Sequence, residues 1–424
     1  MSVVPEKREP RLPDPPAVAP PSTSRQARVR ARRGLAARLR AGEPGALPVT
    51  VSLMSTWVLF QILDPNHRFL TAANLSNMVV QSAAVGMLAI GITLVLLLGE
   101  TDLSVGSVSG LAAAVLAILV IRRGVPEVLA IGLVVLLGLA VGAVQGTIHA
   151  AIGVPSFVVT LAGLIGWQGL QLYLLSPQGA INIPDHSIIA ALTHAYLPAL
   201  AGWSLGAVLV GCHLVAVVVD ARRRRAAGLP CLTPSRRVAR LVLLSAGVGL
   251  TIGVLNAARG VPVALVTVVA VAVGCDLMLR KTRFGRGIIA IGGNVEAARR
   301  AGIPVNRIRI AVFALGSAMA AFGGVLAVSR EFAANQSTGG SDVLLFAIAA
   351  AVIGGVSLFG GRGSTYGALL GVAVIGSIKN GMYLLELDSS VQFMITAVVL
   401  LMALIIDSVS RRGRQLPSHY ERKR

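Results

Sequence analysis

Apolar residues in this chain fall in long runs separated by short polar breaks, and the length of those runs is the first constraint on the fold. They occur near residues 48–63, 78–98, 103–121, 127–150, 155–175, 203–219, 241–255, 262–279, 309–329, 342–359, 365–385 and 392–409. A helix that crosses a bilayer needs about 20 predominantly apolar residues, and most of these runs approach that length. Some are short or broken by glycine. The pattern predicts an all-α membrane protein, a polytopic helical bundle of about 10–12 transmembrane helices.

One polar stretch has the marks of a helix too short to span. Asn294 is a good N-cap, because its side chain can accept from a free amide of the first turn. Glu296 places negative charge near the helix N-terminus, and Arg299 and Arg300 place positive charge near the C-terminus. Gly302 stands where a left-handed residue ends a helix, and Pro304 prevents continuation. Residues 294–302 therefore predict about two turns of amphipathic helix lying along the membrane surface, suited to touching something soluble.

Small residues recur at four-residue spacing in Gly138, Gly142 and Gly146, and again in Gly363, Gly367 and Gly371. Such faces let helix backbones approach closely in lipid, so they predict packing within one chain rather than a seam between two copies. Residues 84–111 and 350–371 share a second pattern: an apolar helix, a glycine-rich polar break, then a small-residue helix. An inverted or tandem repeat and coincidence in a glycine-rich chain both account for it.

Composition confirms the class. Charged residues make up 13% of the 424, where a soluble domain keeps about a quarter. The net charge of +20 would suggest nucleic acid in a soluble protein. Here 32 of the 38 Lys and Arg fall in segments that share one side, and five face the other. That asymmetry is a topology signal: both termini cytosolic, 280–308 a cytosolic loop, and no nucleic-acid partner. Residues 1–46, rich in Pro and Arg without an apolar run, read as a disordered basic cytosolic tail. Residues 47–410 read as the transmembrane domain and 411–424 as a second basic tail. Cys212, Cys231 and Cys275 have no metal or redox spacing and read as free thiols, Cys231 within the basic loop at 220–240.

No residue pattern points to catalysis. There is no G-x-x-x-x-G-K-[ST] to cradle phosphates, no H-E-x-x-H, and no G-x-S-x-G. The six histidines, His149 among them, are scattered and read as ordinary loop or interfacial residues. Only two carboxylates, Glu100 and Asp102, sit at a break flanked by long apolar runs. They suit an ion-coupled carrier, a contact to a hydroxyl-rich solute with Thr101, or an N-cap for the next span, with Asp102 or Ser104 as the cap. A second interruption begins at Pro155, which fits the start of a helix. On that helix Ser156, Thr160, Trp167, Gln168 and Gln171 could line a neutral path.

These residues carry a resemblance. Glu296-Ala297-Ala298 followed by Gly302 resembles the E-A-A-x-x-x-G signature of the permease subunits of ATP-binding-cassette (ABC) importers. The longer run from Ala290 to Arg299 is similar to the version in sugar permeases of the ribose/xylose type. Asp102-Leu103-Ser104-Val105-Gly106-Ser107, the run Pro155-Ser156-Phe157-Val158-Val159-Thr160-Leu161-Ala162-Gly163, and Arg283-Phe284-Gly285-Arg286 match in the same order. The resemblance covers about residues 70–410. Glu100 and the basic loop at 220–240 look more like the xylose branch than the ribose branch. Thr101 stands where an isoleucine is usual, and the N-terminal tail is longer than the pattern requires.

The resemblance implies a non-catalytic, multi-pass permease subunit in the plasma membrane (the bacterial inner membrane). It would translocate a sugar, a pentose such as D-xylose, with no cofactor of its own and ATP bound by a partner subunit. The implied partners are a cytosolic ABC ATPase, an extracytoplasmic sugar-binding protein, a second permease copy and membrane lipid. Gly292, Gly293, Asn294, Glu296, Ala297, Ala298, Arg299 and Gly302 would form the coupling helix that docks on the ATPase. Glu100, Thr101, Asp102, Ser104, Ser156, Phe157, Thr160, Trp167 and Gln168 would line the path. The alternatives are an ion-coupled secondary carrier, or a permease of the same family for ribose, inositol, a nucleoside or a branched-chain amino acid.

Overall fold

A computed structural model of the chain describes residues 47–228 and 234–415. The predicted tail at 1–46, the last residues of the second tail (416–424), and the loop position of Cys231 lie outside the described residues. Among the described residues, eight helices are long and apolar enough to cross a membrane, and a bent pair adds a ninth crossing. Three shorter apolar helices, starting at Pro48, Ser341 and Ser389, account for the remaining apolar runs.

In chain order the helices are α1 (Leu47–Leu63), α2 (Ala72–Gln81), α3 (Ala83–Leu98), α4 (Val105–Ala117), α5 (Glu127–Thr147) and α6 (Ser156–Leu175). A short α7 (Ile188–His194) precedes α8 (Ala199–Ala226), α9 (Pro234–Ala258) and α10 (Val263–Lys281). Then come α11 (Arg283–Gly293), α12 (Val295–Arg300), α13 (Val305–Glu331), α14 (Ser341–Ile353), α15 (Thr365–Leu384) and α16 (Ser389–Gln415). Single π-helical turns extend α4 to Arg122 and α5 to Ile152.

The run at 78–98 does not form one straight span. It begins earlier, at Ala72, and bends by 46° at Ser82, where α2 gives way to α3. From Gly86 to Leu98 every side chain of α3 is buried, and α4 is nearly so. A helix that is apolar all round belongs at the centre of a bundle, and these two are its axis. α13 packs beside them and along α5.

In lipid, apolar side chains gain little by leaving hydrocarbon for protein, so close approach of backbones carries the packing. Both glycine faces serve it within the chain. A Cβ at Gly142 would collide with the Phe313 carbonyl of α13, and one at Gly371 with the Ala350 carbonyl of α14.

Polar segments gather at two ends. One end collects the 99–104 break, the π-turn at 148–152, α11 and α12, and the glycine-rich break at 354–364. We call it the basic end, since Arg283, Arg286, Arg299, Arg300, Arg309 and Arg362 lie there. The other end holds two small antiparallel pairs that the hydrophobic pattern did not predict. β1 (Ala180–Asn182) pairs with β4 (Ala333–Asn335), and β2 (Tyr196–Leu197) pairs with β3 (Val261–Pro262). At the basic end the two breaks touch, where the Gly361 N–H donates to the Leu97 carbonyl at 2.9 Å. An inverted repeat would carry them to opposite ends, so that form of the repeat is excluded.

Candidate functional site

The short helix forms as its termini dictate, and the 280–308 segment holds more structure than one helix. α11 precedes α12 with only Asn294 between them. Asn294 is extended, with φ −162° and ψ 107°, and its side chain accepts the Ala297 N–H at 2.9 Å. At the other end Gly302 has φ +76°, the Gly302 N–H reaches the Arg299 carbonyl, and the Ile303 N–H reaches the Ala298 carbonyl at 3.1 Å. That pair of bonds is a Schellman ending, with Ile303 folding back toward Ala298.

Ala298 is the buried residue of α12, and Glu296, Arg299 and Arg300 are exposed. Glu296 bridges Arg299 at 3.4 Å and Arg300 at 3.2 Å. Exposed pairs of this kind contribute well under about 1 kcal/mol, so they set the surface charge pattern more than the stability. Ala297 is exposed beside them. Gly292 and Gly293, expected in the coupling loop, are instead the last two residues of α11. Gly292 is pressed into the core: a Cβ there would collide with the Leu97 carbonyl oxygen and approach the Gly361 nitrogen to 2.5 Å.

The 99–104 break lies alongside. Glu100 Oε1 lies 3.0 Å from His149 Nε2 and 2.8 Å from Arg309 Nη2, an ion-pair cluster in which all three side chains are largely buried. Burial opposes ionisation of Glu100. Hydrogen bonds from His149 and Ser156, with the charges of His149 and Arg309, outweigh it and hold the carboxyl below its usual value. Arg309 belongs to the second turn of α13, so Glu100 is joined to the helix that directly follows α12. Neither His149 nor Arg309 was singled out from the sequence as a partner of Glu100.

Asp102 is buried as well, and burial pushes its carboxyl up against hydrogen bonds from Ser104 that lower it. Its Oδ1 accepts the Ser104 N–H at 2.8 Å and the Ser104 hydroxyl at 2.7 Å. This is a turn closed two residues on, and Ser104, which occupies the N-cap of α4, makes no side-chain cap bond. Neither Asp102 nor Ser104 therefore caps a first-turn amide of α4, and the expected N-cap is replaced by this turn.

Ser104 Oγ also lies 3.1 Å from Gln145 Oε1, although its one proton is already given to Asp102. Gln145 Nε2 and Trp167 Nε1 are both buried without a partner, and both lie beside Gly163. Turning the Gln145 amide over lets Nε2 donate to Ser104 and places Oε1 beside Gly163, the residue that the Trp167 indole N–H also borders. Asp102, Ser104, Gln145 and Trp167 then form one polar ladder.

α6 presents the rest. Ser156, Thr160, Gly163, Trp167 and Gln171 recur at helical spacing on its inner face. The Thr101 N–H reaches Ser156 Oγ at 3.4 Å, and the Thr160 hydroxyl bonds the Ser156 carbonyl at 3.0 Å and lies 3.4 Å from the Thr101 carbonyl. Gln171 donates to the Asn335 and Thr338 carbonyls near the opposite end. Phe157 and Gln168 are not brought to this face. Both are exposed on the outer side of α6. Among the described residues no cluster of His, Cys, Asp or Glu is built to hold a metal, and Cys212 and Cys275 are free.

A buried polar stripe along a bundle of spanning helices, with a capped charged helix at one end, is the architecture of a multi-pass permease. The family comparison agrees: residues 74–405 match the family described as "Branched-chain amino acid transport system / permease component", and the chain belongs to it. The chain is 37% identical over 364 residues to the xylose transport system permease protein XylH of Escherichia coli (strain K12), covering 86% of this chain and 92% of that protein. It is 34% identical to XylH of Haemophilus influenzae over 86% of this chain and 97% of the relative. It is 32% identical to the ribose import permease protein RbsC of Escherichia coli (strain K12), covering 86% and 92%. No solved structure matches the chain. The protein is therefore an ABC-transporter permease component, multi-pass in the plasma membrane and not itself a catalytic subunit.

Proposed function

We propose that this chain forms the membrane path of an importer for a pentose of the xylose type, driven by ATP hydrolysis on a separate subunit. The observation that carries the reading is the identity to xylose permeases over most of the chain. The basic end faces the cytosol and α12 docks on the ATPase, with Ala298 anchoring the helix from below and Glu296, Arg299 and Arg300 meeting the partner. An extracytoplasmic binding protein delivers sugar at the end bearing the β pairs, and a second permease copy completes the path.

The internal wiring gives this reading a mechanism. Displacement of α12 passes through Ile303 to the start of α13, and Arg309 passes it to Glu100. Glu100 adjoins Thr101 and Asp102, whose ladder to Trp167 continues the polar face of α6. Hydroxyls and amides on that face suit a neutral, hydroxyl-rich solute. An ion-coupled carrier fits less well, because Glu100 is already committed to Arg309 and His149.

The test is uptake of labelled xylose into vesicles that hold this chain together with an ATPase and binding protein encoded beside it. ATP-dependent uptake that is lost in Glu296→Ala or Gly302→Val, while ATP hydrolysis and membrane insertion persist, supports the assignment. Uptake driven by a sodium or proton gradient with no ATPase present overturns it.

A further inference from the structure

α8 and α9 form a helical pair at the margin of the bundle, and their long outer faces are mostly exposed. Between them lies a groove of about 310 Å³ that the permease reading leaves unused. Its α8 wall is Leu214, Val217, Val218, Ala221, Arg222 and Arg225, and its α9 wall is Val238 and Leu241.

The α8 residues follow three- and four-residue steps, so they form one continuous stripe on the helix. The stripe changes character along its length, apolar from Leu214 to Ala221 and then cationic at Arg222 and Arg225. Eleven residues of helix cover about 16 Å, close to the roughly 15 Å depth of one leaflet's hydrocarbon. Topology alone asks for Lys and Arg in the loop, not for two arginines heading an apolar groove. Asp220 is the one acidic residue between 199 and 240, where seven basic residues lie, and it falls off the stripe.

We propose that this groove is a binding site for an anionic phospholipid of the leaflet at the basic end. An acyl chain lies along Leu214, Val218 and Leu241, and the phosphate is held by Arg222 and Arg225. Arginine suits phosphate because its planar fork donates two parallel hydrogen bonds. The apolar wall sets the source, since a soluble phosphate has no use for it.

The test uses the purified full-length protein, and it does not depend on the sugar or the ATPase. Native mass spectrometry of protein extracted in mild detergent, and titration with labelled phosphatidylglycerol or cardiolipin, read binding directly. Arg222→Gln/Arg225→Gln should weaken the anionic lipid by about 10-fold or more, with each arginine contributing near the membrane surface. The charge-matched control Arg411→Gln/Arg412→Gln should bind as wild type. Val218→Trp, which fills the groove and keeps both arginines, should also lose the lipid.

Equal loss in the control would overturn the site. So would equal affinity for phosphatidylcholine, full competition by inorganic phosphate or glycerol phosphate, or unchanged binding in the Arg222/Arg225 variant. If that variant folds poorly, Val218→Trp decides alone: retained lipid refutes the groove.

Discussion

The two glycine-rich breaks at the basic end share a sequence pattern and are held by different physics. The break at 99–104 is stitched by charge at Glu100, which meets Arg309 and His149, beside a hydrogen-bonded turn from Asp102 to Ser104. The break at 354–364 is held by backbone. Ser357 N–H donates to the Arg362 carbonyl at 2.9 Å, the Gly361 N–H reaches across to Leu97, and Ser364 caps α15 through the Gly367 N–H at 3.0 Å. Arg362, the charge in that break, is exposed. One break can therefore respond to a change elsewhere through its ion pairs, while the other is a rigid abutment. Gly292 of α11 lies between them, in contact range of both Leu97 and Gly361.

The largest expected effect removes the abutment. Gly292→Val sets a branched side chain against two backbone segments that cannot swing aside. The cost should exceed about 4 kcal/mol, beyond the range of ordinary substitutions. The expected outcome is loss of a monodisperse peak when the variant is extracted and run on size exclusion. A variant that elutes as wild type would break the picture of two breaks meeting at this glycine.

The next effect sharpens the contrast between the breaks. Arg309→Ala leaves a buried Glu100 carboxylate short of its counter-charge, and breaking one side of a buried pair costs about 3–5 kcal/mol. Arg362→Ala in the second break should stay within about 0.5 kcal/mol, as exposed surface changes do. Thermal unfolding in detergent measures both. The double variant Glu100→Gln/Arg309→Gln should recover part of the loss, because no charge is then left unpaired. Identical losses at Arg309 and Arg362 would refute the distinction.

The features visible in the sequence were those set by local chemistry. Run length marked the spans, glycine spacing marked the close packing of α5 on α13, and Asn294 with Gly302 marked both ends of α12. What stayed hidden depends on chain crossings. Glu100, His149 and Arg309 lie on three segments far apart in sequence, and no periodicity within any one of them announces the meeting. The bend at Ser82 was hidden because α2 and α3 are both apolar, so hydropathy reads through it. The inner face of α6 was half visible: its polar residues were found, but Gln168 was grouped with them although it points the other way. The close packing of Gly292 was hidden for the same reason, since only its packed neighbours show why a side chain is forbidden there.

A smaller effect concerns α12 itself. Asn294→Ala removes one cap bond and should cost about 1 kcal/mol, and Gly302→Ala forces a left-handed alanine at about 1–2 kcal/mol. Both are modest for the whole bundle. Hydrogen exchange should nevertheless show faster exchange confined to 295–303, with α3 and α13 unchanged. Exchange that spreads to α3 would mean that α12 is part of the core rather than a docking element.

The finest discrimination lies within the first break, where two carboxylates two residues apart are shifted in opposite directions. Both lie outside the spanning helices. The folded Glu100 ionises below its ordinary 4.5, so between the folded value and 4.5 the unfolded chain binds more protons, and stability rises with pH across that window. The Glu100 contribution is full above 4.5 and is lost as pH falls through the folded value. Asp102 has the reverse sign. Its folded value lies above the ordinary 3.8, so the native state binds more protons and stability falls as pH rises through the raised value. Unfolding midpoints from about pH 3 to pH 8 should therefore show a shallower acid limb in Glu100→Gln than in wild type. Asp102→Asn should keep the Ser104 bonds at Oδ1 and give Oδ2, now without a partner, a neutral replacement. Its midpoint near pH 8 should equal or exceed that of wild type. A loss there as large as that of Arg309→Ala would place Asp102 in the charged stitching with Glu100, and the division of labour inside this break would fall.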